Sequence, residues 1–369
     1  MQYLLELLRR ETASRAIDEA ECEAMLALAE EEHVLPSVAA CVRLQQATLT
    51  PTLLSRVDKI ERDAAIAAFY WCSELKGVLR EFDRQGVVAV PLKGPFLAER
   101  LYGSSALRVS VDLDLLVARA DLARAEAVLT ETCFVPDVAD DYHRAWRRQT
   151  TTVELHHDVE NPLAFNFDVA SALRRVRRAT FQGENTWQLA PDDELLFLCL
   201  HAARHRYERL SPVLDLRLAF EKLTSTPDRW QPRPEVGQLC SLLTLGLAMA
   251  RRLQPDLIVA IDFGGSKRQT EHLEGLADRL WRRLLTQPRE PLDWRTLHEF
   301  FLRIELPGWP RIHRRYRHLK ILWTRVIEPD YAFAARLGLH RPWQARILRP
   351  LRLLSDSLRP LSRNGGTGS

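Results

Sequence analysis

The 369-residue sequence has no Cys-x-x-Cys pair, no internal repeat and no uninterrupted apolar run long enough to span a bilayer. Each absence closes a class. Six cysteines are scattered at 22, 41, 72, 133, 199 and 240, with no close pair. They are expected to be small buried hydrophobes of a reducing compartment, which excludes a disulfide framework or a zinc ribbon. A membrane-spanning helix needs about 18 or more consecutive apolar residues. The first turns carry Glu6 and Arg9-Arg10 where a signal peptide would be apolar. These features predict a soluble, cytoplasmic protein with no transmembrane segment.

Charge is balanced overall and uneven locally. The net charge is +3, yet the stretch from Trp309 to Arg352 holds eleven Lys/Arg against Glu328 and Asp330. That stretch carries +9 and leaves −6 for the remainder. Such asymmetry suits a polyanionic partner or an anionic surface, and equally a set of solvated helix faces.

Apolar spacing divides the chain. Residues 1–82 read as an N-terminal helical bundle: Leu4, Leu5, Leu7 and Leu8 open one helix, Ala20–Glu30 forms another, and Val57–Phe82 is a long third. Pro36 and Pro51 punctuate it. Residues 83–190 change character. Val87–Leu92 is a short apolar run typical of a strand buried on both sides, and Pro95 suits the first turn of a helix through Tyr102. A strand over Val109–Val117, a helix from Asp121 to Thr132 and two extended segments near 142–149 and 151–159 follow. Residues 191–363 read as helical at 192–206, 211–223, 234–252, 266–285, 294–304, 311–326 and 342–357, and 364–369 as an unstructured tail. The fold class is therefore α+β, a small mixed-sheet core flanked by N-terminal and C-terminal helical regions.

The chemistry lies in the core. Within Arg108-Val109-Ser110-Val111-Asp112-Leu113-Asp114-Leu115-Leu116-Val117, period-two alternation puts Asp112, Asp114 and Ser110 on one face, and Val111, Leu113 and Leu115 on the other. Adjacent acids beside an apolar core repel one another unless a cation neutralises them. Mg²⁺, or Mn²⁺ in its place, suits that task, because it accepts a few carboxylates and leaves positions for phosphates. Eighteen residues before Asp112, Lys93-Gly94 ends a buried strand just ahead of a helix start. Glycine permits close backbone approach, the helix N-terminus favours anions, and Lys93 adds a cation. Val153-Glu154-Leu155-His156 places Glu154 and His156 on a common face, with Asp158 and Glu160 on the same alternation.

Leu92-Lys93-Gly94, a helix, Arg108, then Asp112-x-Asp114-Leu-Leu-Val resembles the uncharacterised bacterial nucleotidyltransferases of the DNA polymerase β-like superfamily. Arg108-x-Ser110-x-Asp112-x-Asp114 is also similar to the AbiEii-type toxin nucleotidyltransferases. The Gly-Ser dipeptide often found in that turn is replaced by Gly94-Pro95. The resemblance implies a nucleotidyltransferase core in which Asp112, Asp114 and Glu154 are catalytic and bind metal. It implies that Lys93, Gly94, Arg108, Ser110 and His156 contact nucleotide or phosphate, with Arg108 alternatively structural, holding the acid-bearing strand by an ion pair.

A second constellation is Leu200-His201-Ala202-Ala203-Arg204-His205-Arg206, followed by Leu214-Asp215. His201 and His205 lie one helical turn apart, but Ala202 stands where a zincin would carry its glutamate. The look-alike family has a similar helix, so His201, His205, Arg206 and Asp215 are read as a polar seam against the cleft. In it Asp215 orients a histidine or a basic residue faces phosphate. The expected activity is Mg²⁺-dependent transfer of a nucleoside monophosphate from an NTP, such as ATP, to an acceptor hydroxyl. Small molecule, peptide, protein and RNA end all remain open as acceptor, and the basic C-terminal third makes tRNA one option. The alternative is a non-catalytic nucleotide- or polyanion-binding accessory protein, at the membrane surface if its basic helices dock there.

Overall fold

The computed structural model describes residues 1–9, 18–44, 50–139, 143–159, 167–224, 240–259 and 266–286, with single positions at 296, 300 and 304. Met1–Pro307 forms one compact unit. Gly308–Ser369 forms a second, and it lies outside the described residues together with the expected basic helices at 311–326 and 342–357.

Four helices open the chain: α1 (Gln2–Leu8), α2 (Glu19–Glu31), α3 (Leu35–Arg43) and α4 (Pro51–Arg84). Asp18 and Glu21 form a capping box on α2. Pro36, expected to interrupt, instead sits in the first turn of α3, where its missing N–H costs nothing. The 34-residue α4 is about 50 Å long. Its Leu53, Val57 and Ile60 enter one core, and Cys72, Leu75, Val78, Leu79 and Phe82 enter another.

A five-stranded mixed sheet follows, in the order β1-β2-β5-β4-β3. Its strands are β1 (Ala89–Pro91), β2 (Leu113–Val117), β3 (Val135–Ala139), β4 (His143–Arg148) and β5 (Thr151–His156). The β2–β5 pair is parallel and the other neighbours are antiparallel. Helix α5 (Gly94–Tyr102) and helix α6 (Leu122–Glu131) connect its early strands. After the short helix α7 (Val169–Leu173) comes a hairpin, β6 (Arg177–Phe181) and β7 (Glu184–Gln188), turning on Gln182 and Gly183 at positive φ. Helices α8 (Pro191–Arg204), α9 (Leu210–Thr224), α10 (Cys240–Leu253) and α11 (Lys267–Leu285) complete the described part.

Both faces of the central strands are covered. Leu113, Leu115 and Val117 of β2, with Val153 and Leu155 of β5, join α4 and α6 in one core. Leu116 joins the other core with α8, α9 and α10. Asp114 shares the Leu116 face by alternation, so it points toward the helical layer. The expected strand over Val109–Val117 is shorter than its pattern suggests: pairing begins at Leu113. Val111, expected in the core, is 62% exposed because no neighbouring strand covers it. Strand β3, the hairpin β6–β7 and α3 were not anticipated. All six cysteines are free; Cys22, Cys72 and Cys199 are buried as expected, Cys41 and Cys240 are half-buried, and Cys133, in the turn after α6, is exposed, contrary to that expectation.

Candidate active site

The parallel register sets Asp114 directly beside Glu154, with Leu113 beside Val153 and Leu116 beside His156. Asp114 is 3% exposed. Its Oδ1 lies 3.0 Å from His156 Nε2 and its Oδ2 lies 3.0 Å from Lys93 Nζ. Glu154 Oε2 is 3.3 Å from His156 Nε2 and 3.8 Å from His143 Nε2. His143, paired across β4–β5 with His156, stacks on it with ring centroids 5.3 Å apart.

Lys93 immediately precedes α5. Gly94 follows at φ +67, and a side chain there would come 3.6 Å from the Asp112 carbonyl oxygen. The glycine turn therefore backs directly onto the acid-bearing segment, in a conformation that glycine adopts without strain. Ser110 Oγ, two residues before Asp112, is buried with no hydrogen-bond partner among the described residues.

The carboxylates divide the local charge unequally. Burial, then the Asp114 charge, push Asp112 up to about 7, against the pull of Lys93. Burial also works to raise Asp114, but Lys93 and His156 outweigh it and hold Asp114 well below the usual carboxylate range. Glu154 is lowered as well, its hydrogen bond to His156 overcoming burial and the Asp114 charge. His156 is raised, because the two carboxylates more than offset the cost of burying its charged form.

This site can hold a divalent cation. Ligand atoms of Asp114, Glu154 and His156 lie within 4.8 Å of one another, and among the described residues no other such group occurs. Asp114 and Glu154 supply carboxylate oxygens suited to a hard cation, with His156 in the place expected of Asp112; Asp112 itself lies outside this close group, and its raised value marks negative charge that a cation would relieve. The imidazole nitrogen is a donor that Mn²⁺ accepts more readily than Mg²⁺ does.

Comparison with known proteins bears on this geometry. Residues 18–254 match the model of a family described as uncharacterised nucleotidyltransferase. The chain belongs to that family. No curated protein matches the sequence. Among solved structures, ANT(2")-Ia in complex with adenylyl-2"-tobramycin is 12% identical with a TM-score of 0.30, over 57% of this chain and 98% of that one. An antigenic nucleotidyltransferase-like protein from Paracoccidioides brasiliensis is 18% identical with a TM-score of 0.36, over 51% and 89%. A tRNA-processing enzyme in an apo form is 13% identical with a TM-score of 0.24, over 80% and 92%. Scores this low establish neither acceptor nor mechanism.

In this nucleotidyltransferase-family chain the helical seam is arranged differently from expectation. Asp215 of α9 orients no histidine. It accepts from Arg108 Nε at 3.0 Å and Nη2 at 3.0 Å, and from Tyr102 OH at 2.6 Å. A guanidinium fork satisfies both oxygens of a carboxylate at once, which an imidazole cannot do. His201 packs on Phe197 and lies edge-on to His205, with ring centroids 4.8 Å apart. Burial, then the Lys93 charge, lower His201 well below the ordinary imidazole value, and burial and Arg204 lower His205. The pair forms no three-ligand metal group among the described residues. Arg206 adopts positive φ in the turn after α8. Asp158 uses Oδ1 on the Val159 amide, and Glu160 lies outside the described residues.

Two residues at the site went unread in the sequence. His143 was legible in principle, since an extended segment antiparallel to β5 brings a polar side chain against His156. Tyr102 meets Asp215 across 113 residues of chain, and no local spacing signals such a contact.

Proposed function

We propose that this chain transfers a nucleoside monophosphate from an NTP to an acceptor hydroxyl in a divalent-metal-dependent reaction. The observation that carries the reading is the parallel register that sets Asp114 beside Glu154, with Lys93 and the Gly94 turn at the same place. Asp112, Asp114 and Glu154 would hold Mg²⁺, or Mn²⁺ in its place. Bound there, the ion would offset phosphate charge and favour in-line displacement of pyrophosphate.

The protein's own groups do the rest. Lys93 exchanges Asp114 for a phosphate oxygen of the NTP, and backbone amides at the start of α5 accept the same anion. Ser110 Oγ supplies a further hydrogen bond. The acceptor oxygen bonds to the α-phosphorus as the bond to pyrophosphate breaks, and the hydroxyl proton passes to a carboxylate. Glu154, with 27% of its side chain exposed against 2% for Asp114, is the acid placed to meet an incoming hydroxyl.

The test is incubation of purified protein with Mg²⁺ and each labelled NTP, measuring pyrophosphate and labelled product. Asp114→Asn is expected to lower turnover by about 10²–10³-fold or more. Wild-type turnover in that variant would sink the reading.

A further inference from the structure

The acid at Asp112 sits on a segment that the sheet does not hold. Ladder pairing of β2 begins only at Leu113, while Val109 and Val111 are exposed. What precedes the segment is held tightly. A short 3-10 turn, Ser105–Leu107, has Leu107 O accepting from Ser37 Oγ of α3 at 2.8 Å. Next comes Arg108, with only 12% of its side chain exposed. Its Nε and Nη2 are committed to Asp215, and Nη1 makes a long 3.4 Å contact with Val109 O. Asp215 is 2% exposed and also receives the Tyr102 hydroxyl. The fork edge that would grip a phosphate is therefore already occupied.

We infer that Tyr102, Asp215 and Arg108 are positioning residues that fix Asp112 for its ligand, acting through the backbone of 108–112. The inference rests on the proposed metal-dependent transfer, and it replaces a phosphate clamp at Arg108 with an anchor. Three elements converge on it: α5 brings Tyr102, α9 brings Asp215, and the 3-10 turn brings Arg108. Outer groups that orient metal ligands typically govern affinity by about 10–100-fold.

The experiment measures Mn²⁺ affinity of the full chain by electron paramagnetic resonance, without nucleotide, beside circular dichroism for folding. The double variant R108Q/D215N removes a cation and an anion together, so net charge is unchanged. It is expected to weaken Mn²⁺ binding by about 10-fold or more. Tyr102→Phe alters no charge and removes one hydrogen bond, with an expected loss of about threefold. A folded double variant that binds Mn²⁺ as wild type does overturns the anchor while leaving the transfer reading intact. Should the double variant not fold, unchanged binding in Tyr102→Phe overturns it instead. A wild-type chain that binds no Mn²⁺ overturns the metal reading beneath both.

Discussion

The strand ledge of β2 and β5 and the helical layer of α8 and α9 bury ionisable groups around the same lysine, yet they resolve the cost in opposite ways. On the ledge, His156 lies against two carboxylates and is raised. In the helical layer burial first, then Lys93, His205 and Arg108, lower His201 well below its usual value against the pull of Asp114. Arg108 keeps the charge a guanidinium always carries, and Asp215 answers it so that its value is raised despite burial. Burial works against the charged form of both histidines, and only where carboxylates lie against the ring, as at His156, is it overridden.

The sharpest way to break this contrast is to remove the acid that answers Arg108 in the helical layer. Asp215→Ala leaves Arg108 and Tyr102 buried without their partner, and should cost about 3–5 kcal/mol in urea unfolding. A loss under 1 kcal/mol would mean that the pair is not buried as described.

A smaller effect sharpens the comparison further. His201 has a lowered folded value, so the unfolded chain binds more protons, and its contribution to stability is present above about pH 6.5 and fades as pH falls below it. His156 has a raised folded value, so its contribution is full below the unfolded value and is lost as pH rises through the folded one. Difference curves of unfolding free energy between pH 5 and 8 in EDTA should therefore slope oppositely. His201→Gln gains on wild type as pH falls, and His156→Gln loses on it. Each slope is bounded by about 1.4 kcal/mol per pH unit. Curves of the same sign would contradict the assignment.

Much of the ledge was legible because it obeys local rules. Pro95 marked the start of α5, and the alternation around Asp114 and Glu154 gave the shared face correctly. What failed was local pattern without a partner. Val109 and Val111 look like strand residues, but no neighbour pairs with them, and they face solvent. Strand β3 was obscured by Pro136, which is tolerated at a sheet edge where the register is irregular. The hairpin carried a signal, Gln182-Gly183 between alternating segments, in an otherwise polar stretch. The Tyr102–Asp215–Arg108 cluster was illegible for a different reason. Its members come from three elements joined only by tertiary packing, and the sequence spacing that suggested Asp215 beside a histidine could not rank a guanidinium as the better partner.

The central claim is that Asp112, Asp114 and Glu154 together hold a divalent ion. Anomalous diffraction from crystals grown with Mn²⁺ and a non-hydrolysable NTP tests it most directly. The account predicts a manganese peak at coordination distance, about 2.0–2.6 Å, from oxygens of Asp112, Asp114 and Glu154, with Lys93 Nζ moved onto phosphate. A complex with nucleotide bound, Lys93 still on Asp114 and no manganese between the two strands would contradict it.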